Sequence, residues 1–172
     1  HLSVKMTDDR TSMNGKIDID RFKVQVLLHA YMAKYLPELA NVRTGSVISA
    51  NATINGHFDS YGTTPDININ IEMPESDIDY STFPEKIHMG MTACFQMDTT
   101  GRMRADITKG GIRTSGLKID VKGGIEDITG EDPQIKINGD MMASLDALRK
   151  FLPDTMNIIT EGSFTAKLNG TL

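Results

Sequence analysis

The side chains best able to do chemistry in this chain are carboxylates placed near turns. Asp66-Ile67-Asn68-Ile69-Asn70 copies the opening of a calcium loop, which needs a glycine for its sharp turn and a bidentate glutamate at its close. Ile71 and Asp77 stand at those two positions, so the alternating isoleucines read better as a strand. The stretch from Pro74 to Glu85 holds Glu75, Asp77, Asp79 and Glu85 without a basic residue. A weak divalent site is the sharper reading of it, and a solvated acidic linker over 74–86 the better one. His29, His57 and His88 are isolated, and no nucleophile elbow, phosphate-cradling glycine loop or metal-spaced histidine pair occurs. Each histidine reads as a surface or satisfied residue. Cys94, the single cysteine, excludes an internal disulfide and a thiolate-rich metal cage, and reads as a small half-buried residue. Asn51-Ala52-Thr53 and Asn169-Gly170-Thr171 match the glycosylation sequon but fall on strand ends. The expectation is a non-enzymatic chain with no catalytic residue, no metal and no cofactor.

The elements around these residues repeat. Gly56, Asp59, Gly62, Pro65, Ile67, Ile69 and Asn70 recur as Gly124, Asp127, Gly130, Pro133, Ile135, Ile137 and Asn138, at a constant offset of 68 residues. The matching positions are turn formers followed by alternating isoleucines, which spells strand, corner and strand. Asp59 and Asp127 read as side chains that bond backbone amides of the turn, because a catalytic residue has no reason to be duplicated along with its corner. A looser echo carries Ile17 and Ile19, an apolar stretch to Leu36-Pro37, and Gly45-Ser46 before a strand ending at Asn55-Gly56. Its counterpart is Ile135 and Ile137, an apolar stretch to Leu152-Pro153, and Gly162-Ser163 before a strand ending at Asn169-Gly170. Hairpin, helix and strand are thus repeated near both ends, over about 15–73 and 112–172, with the acidic linker (74–86) and a central hairpin (87–108) between them.

Composition limits what such a repeat can serve. The chain has 172 residues, long enough to bury a substantial core as a single unit over 1–172. Its hydrophobic fraction of 39% and charged fraction of 24% exclude a disordered or collagen-like chain. No apolar run approaches a membrane span. A net charge of −5 without clustered Lys and Arg argues against nucleic acid as a partner. Eleven methionines and no tryptophan suit an adaptable greasy surface as well as ordinary core filling. Without a signal peptide and starting at His1, the chain reads as a mature fragment whose upstream sequence could hold an anchor.

Period-two alternation dominates the rest. Apolar residues take every second place in Ile48 to Phe58, in Ile67 to Met73 between Pro65 and Pro74, and in Ile87 to Met97. Thr99-Thr100-Gly101 turns into Met103, Ala105 and Ile107, and Lys109-Gly110-Gly111 turns again into Leu117, Ile119 and Val121. With shorter strands at Leu2 to Met6, Ile17 to Ile19 and Phe164 to Leu168, about nine strands are expected, mostly antiparallel. Two segments change to helical spacing: Leu27 to Leu36, stopped by Pro37, and a helix capped by Ser144 with Leu145, Leu148, Phe151 and Leu152 on one face, stopped by Pro153. The fold class is mainly β (α+β), a curved antiparallel sheet with two short helices.

Helices this short cannot roof nine strands, so the apolar sheet face needs another cover. The sheet closes as a sandwich or barrel, which is the generic default, or helices cover it, or it stays open as a groove. The repeated unit resembles that of the AsmA-like family, bacterial envelope proteins sharing a repeating β-groove architecture with TamB. The resemblance rests on the Gly124 to Asn138 hairpin, the helix ending at Leu152-Pro153 and the Gly162-Ser163 strand, and the Ile17 to Asn70 segment follows the same plan. It implies a curved sheet with an apolar inner surface, held in the periplasm by an inner-membrane anchor, which shields or conducts phospholipid in outer-membrane biogenesis. Membrane contact would come only through segments outside this sequence. The expected lipid-facing residues are Ile67, Ile69, Ile71 and Met73; Ile87, Met89, Met91, Phe95 and Met97; Met103 and Ile107; and Leu117, Ile119 and Val121. The expected partners are phospholipid acyl chains or another apolar ligand, and further repeats of a longer parent chain. The competing expectation is a closed β-sandwich acting as an adhesion or assembly module.

Overall fold

The computed structural model describes residues 2–7, 9–32, 34–81, 83, 85–148 and 162–171. These residues form one antiparallel sheet. Its strands are β1 (Leu2–Thr7), β2 (Arg10–Lys23), β3 (Val42–Thr44), β4 (Val47–Asp59), β5 (Asp66–Tyr80), β6 (Ile87–Met97), β7 (Met103–Arg113), β8 (Leu117–Glu126), β9 (Gln134–Ser144) and β10 (Ser163–Thr171). Nine of them lie in the order β1-β2-β4-β5-β6-β7-β8-β9-β10, and β3 pairs with the far end of β5. The sheet is open, with β1 and β10 at its two edges. Closure into a sandwich, the generic expectation, does not occur.

Turn chemistry fixes one end of the sheet. The β4–β5 corner carries Asp59-x-x-Gly62, the β6–β7 corner Asp98-x-x-Gly101 and the β8–β9 corner Asp127-x-x-Gly130. In each, the glycine N–H donates to the aspartate carbonyl, at 3.4, 3.0 and 2.9 Å. Gly62 and Gly101 sit at φ +92° and +80°, a region that costs a side chain dearly. The Asp59 carboxylate accepts from the N–H groups of Tyr61 and Thr63, and that of Asp98 from those of Thr100 and Arg102 and from the Thr100 hydroxyl. Neighbouring corners are tied together: Thr64 N–H donates to the Thr99 carbonyl, and Ile128 N–H to that of Met103. The opposite end carries the helical insertions. α1 (Val24–Leu27) leads into a π-helical turn, Leu28–Met32, and α2 (Leu145–Leu148) follows β9. Each insertion is hung from its returning strand by one backbone bond of 3.0 Å, Val24 N–H to Ser46 and Leu145 N–H to Gly162.

Three local expectations are corrected. Residues 74–80 are not linker, because β5 continues through them: a bulge between Met73 and Ser76 absorbs Pro74, whose missing N–H the ladder does not need there, and Ile78 then pairs with Ile87. Lys109-Gly110-Gly111 is not a turn. It lies inside β7 just past a second bulge, between Ile107 and Gly110, so the central hairpin runs to Arg113 and the chain turns at 114–116 instead. The first helix begins earlier than expected and is broken, since the Gln25 side chain holds the Val42 carbonyl and the Thr44 N–H and draws the turn against β3, while Pro37 opens a 3-10 turn, Pro37–Asn41. Ser144 ends β9 and directly precedes α2, as expected of the residue before that helix, and its N–H donates to the Gly116 carbonyl at 2.7 Å. Phe151, Leu152 and Pro153 lie outside the described residues.

The carboxyl groups of Asp59 and Asp98 are held below the ordinary aspartate value of 3.8, by the backbone bond from Thr63 in one and the Thr100 hydroxyl in the other. A group depressed in the folded state stabilises it above the unfolded pKa and loses that contribution as pH falls through the folded one. The urea midpoint should therefore decline as pH drops from about 4. In Asp59→Asn/Asp98→Asn that decline should be shallower; equally steep acid limbs would assign the corners no part in it.

Candidate functional site

In a paired sheet, residues directly opposite one another share a face. Following the register from strand to strand therefore traces each face across the whole molecule. One transverse row runs Ile17, Ala52, Ile69, Phe95, Ala105, Ile125, Ile135 from β2 to β9. The next runs Ile19, Ala50, Ile71, Ala93, Ile107, Gly123, Ile137. A third contains Ile54, Ile67, Met97 and Met103. Beyond the bulges lie Met73, Met91, Gly110, Val121, Gly139, Leu168, and then Met89, Ile112, Ile119, Met141, Ala166. The last rows pair Ile78 with Ile87, and Leu117 with Ala143 and Phe164. All fourteen residues expected to face a ligand share this face. The expected span of 67 to 121 understates it, since β2, β4, β9 and β10 contribute too. The alternation of Ile135, Ile137 and Met141 was the available signal for β9, and that of Phe164, Ala166 and Leu168 for β10.

The bulges keep this face continuous. Each adds one residue to its strand, which would otherwise turn every later side chain over. On β5 the apolar positions change from odd numbers up to Met73 to even numbers at Ile78, and on β7 from Ile107 to Ile112. On β2 the change falls between Ile19 and Phe22, where Arg21 takes φ +52°.

Nothing among the described residues lies over the face. Met73, Met97 and Ala143 are its buried apolar residues, at 6%, 7% and 1% exposure, while Ile107 and Ile112 in the middle strands are 38% and 36% exposed. The chain exposes 11,873 Å², whereas a compact monomer of 18.9 kDa exposes about 8,300 Å². The face extends ~38 Å across its nine strands. Within it lies a hollow of about 410 Å³, floored by Ala93, Ala105 and Gly123 and walled by Phe95, Ile107 and Ile125, its surface almost wholly apolar.

The opposite face is a polar ladder. Asp18, Asn51, Asn70, Cys94 and Asp106 form one row, and Lys16, Thr53, Asn68, Gln96, Arg104 and Glu126 the next. Arg104 Nε lies 2.5 Å from Asp106 Oδ2, a bond that raises the guanidinium's affinity for its proton. The Asn51 amide and then Lys16 lower the pKa of Asp18, and Lys118 lowers that of Asp120. Cys94 is half-buried here, its Sγ 3.8 Å from Asp106 Oδ2. His57 bonds to Arg10 and Asp59, and His88 to Asp77 at 2.8 Å. Glu75, read from sequence as part of a linker, pairs with Arg113 across the bulge at 2.6 Å. No group of three His, Cys, Asp or Glu side chains among the described residues could hold a metal ion, and no described helix is long and apolar enough to cross a membrane.

Of the expected turn residues, Asp59, Gly62, Pro65, Asp127, Gly130 and Pro133 stand at the corners, whereas Gly56 and Gly124 are paired within β4 and β8. Gly56, at φ +123°, packs where a Cβ would lie 3.1 Å from the Pro65 Cα, and Pro65 is buried where its counterpart Pro133 is exposed. Asp127 takes φ +55°, and a Cβ on Gly130 would collide with its carboxylate. A Cβ on Gly124 would collide with the Asp106 carboxylate. No family model, curated protein or solved structure matches the chain.

Gly123 is where the face tolerates change least, since a Cβ there would stand 2.6 Å from the Lys136 carbonyl oxygen and 3.3 Å from the Ile137 Cα. Gly123→Val should cost about 1–3 kcal/mol through strain against β9. Met6→Thr, at a 75%-exposed position on the same face, should stay within about 0.5 kcal/mol. Chemical denaturation measures both, and equal costs would mean that the β8–β9 contact is not tight.

Proposed function

We propose that this chain is a non-enzymatic segment of a bacterial envelope protein, and that its apolar sheet face binds the acyl chains of phospholipid and shields or conducts them in outer-membrane biogenesis. The observation that carries the reading is the set of rows crossing the sheet, apolar throughout the central strands except for Ser76 opposite Met89, with no described residue covering them. Such movement needs no bond chemistry. Burying hydrocarbon at ~0.8 kcal/mol per methylene holds a lipid on the sheet, and rows of similar residues spaced ~4.8 Å apart offer steps of similar energy. The methionines on β5, β6, β7 and β9 suit this, because unbranched thioether side chains adapt to chains of differing shape. In the full-length protein we place the segment in the periplasm, beside further repeats that extend the same face and an inner-membrane anchor.

Protein purified without detergent should carry phospholipid, detected by mass spectrometry. Met89→Glu and Met91→Asp should each lower the bound lipid severalfold while shifting the thermal midpoint little, because a charge on an open face stays hydrated. Substitutions that cost several kcal/mol, in protein that carries no lipid, would point instead to a face packed against protein, as an assembly module requires.

A further inference from the structure

We propose that the hollow bounded by β5 to β9 is a fixed subsite for one hydrocarbon chain, a resting position on a face whose remaining rows are interchangeable. The proposal rests on the acyl-chain reading above and adds a place to it. The hollow measures about 410 Å³, within the range of ~300–1,000 Å³ typical of ligand pockets. Its wall presents almost no polar atom, so it has nothing to orient a head group and admits an occupant by its hydrocarbon alone.

Two features make the depression permanent. Its floor is a triangle of small residues on three adjacent strands, Ala93 on β6, Ala105 on β7 and Gly123 on β8, each beside a bulky neighbour in its own row. Gly123 cannot gain a side chain without striking the β9 backbone, so the deepest point is imposed by strand packing. Water in an open apolar hollow cannot hydrogen-bond to its lining, so replacing that water with hydrocarbon is favourable both through the water released and through the dispersion contacts made. A flexible methylene chain supplies those contacts, and its remaining length can continue along the adjoining rows.

The test fills the hollow. Ala105→Phe, with Ala105→Leu as a smaller filling, is compared with Ala166→Phe on β10, which lies on the same face outside the hollow. The probe is the fluorescent fatty acid cis-parinaric acid, titrated into the whole chain, with circular dichroism reporting the fold and sedimentation the oligomeric state. The unsubstituted protein should bind at one saturable site, and either Ala105 substitution should weaken that site about tenfold while Ala166→Phe leaves it unchanged. Equal effects at positions 105 and 166 would overturn the subsite and leave the acyl-chain reading standing. The subsite would also fall if the unsubstituted protein were a dimer that Ala105→Leu converts to monomer without affecting the probe, since the occupant would then be a second copy. An unsubstituted protein that binds no probe would overturn both readings.

Discussion

Everything in this molecule depends on phase. Nine strands alternate apolar and polar residues, and alternation alone would give nine amphipathic ribbons with no common side. They share one because each hairpin sets its register so that, with few exceptions such as Ser76 opposite Met89, apolar residues meet one another across the ladders. A slip of one residue in any strand would put charged residues into the apolar rows. The three bulges serve the same constraint, since each changes the numbering parity of its strand and so keeps the later residues on the correct side.

That constraint explains how much of the fold was legible in the sequence. Long unbroken alternation, as in Ile87 to Met97, fixes both strand and facing side, and these segments stand where the spacing puts them. The failures cluster where alternation skips. Pro74-Glu75 and Lys109-Gly110-Gly111 look like linker and turn because proline, glycine and a broken period are also what loops are made of. What separates a bulge from a turn is resumed alternation beyond it, as in Ser76, Ile78 and Tyr80. A third copy of the corner, Asp98-x-x-Gly101, lay within the sequence, but its flanking residues differ enough from those at Gly56 and Gly124 to conceal it.

The apolar face was only partly legible. Its members in the central strands follow from period two, but its continuity across nine strands depends on register, which turn geometry sets and composition does not. The hollow was not legible at all. Ala93, Ala105 and Gly123 lie at sequence positions with no common spacing, and only the lateral packing of β6, β7 and β8 brings them together. The openness of the sheet is also a property of the whole, since short helices limit the roof without deciding whether the edges meet.

The corners on one margin are bonded to each other as well as within themselves, through Thr64 to Thr99, Ile128 to Met103 and the Thr129 hydroxyl to Gly101. The other margin carries the helical insertions, with β3 laddered to β5 and the turn at 114–116 bonded to Glu85 and Ser144. The sheet is thus hemmed like a folding fan at its rivet. At the rivet end, neighbouring strands are held at their spacing twice over, by the ladder and by the bonds that run from one corner to the next.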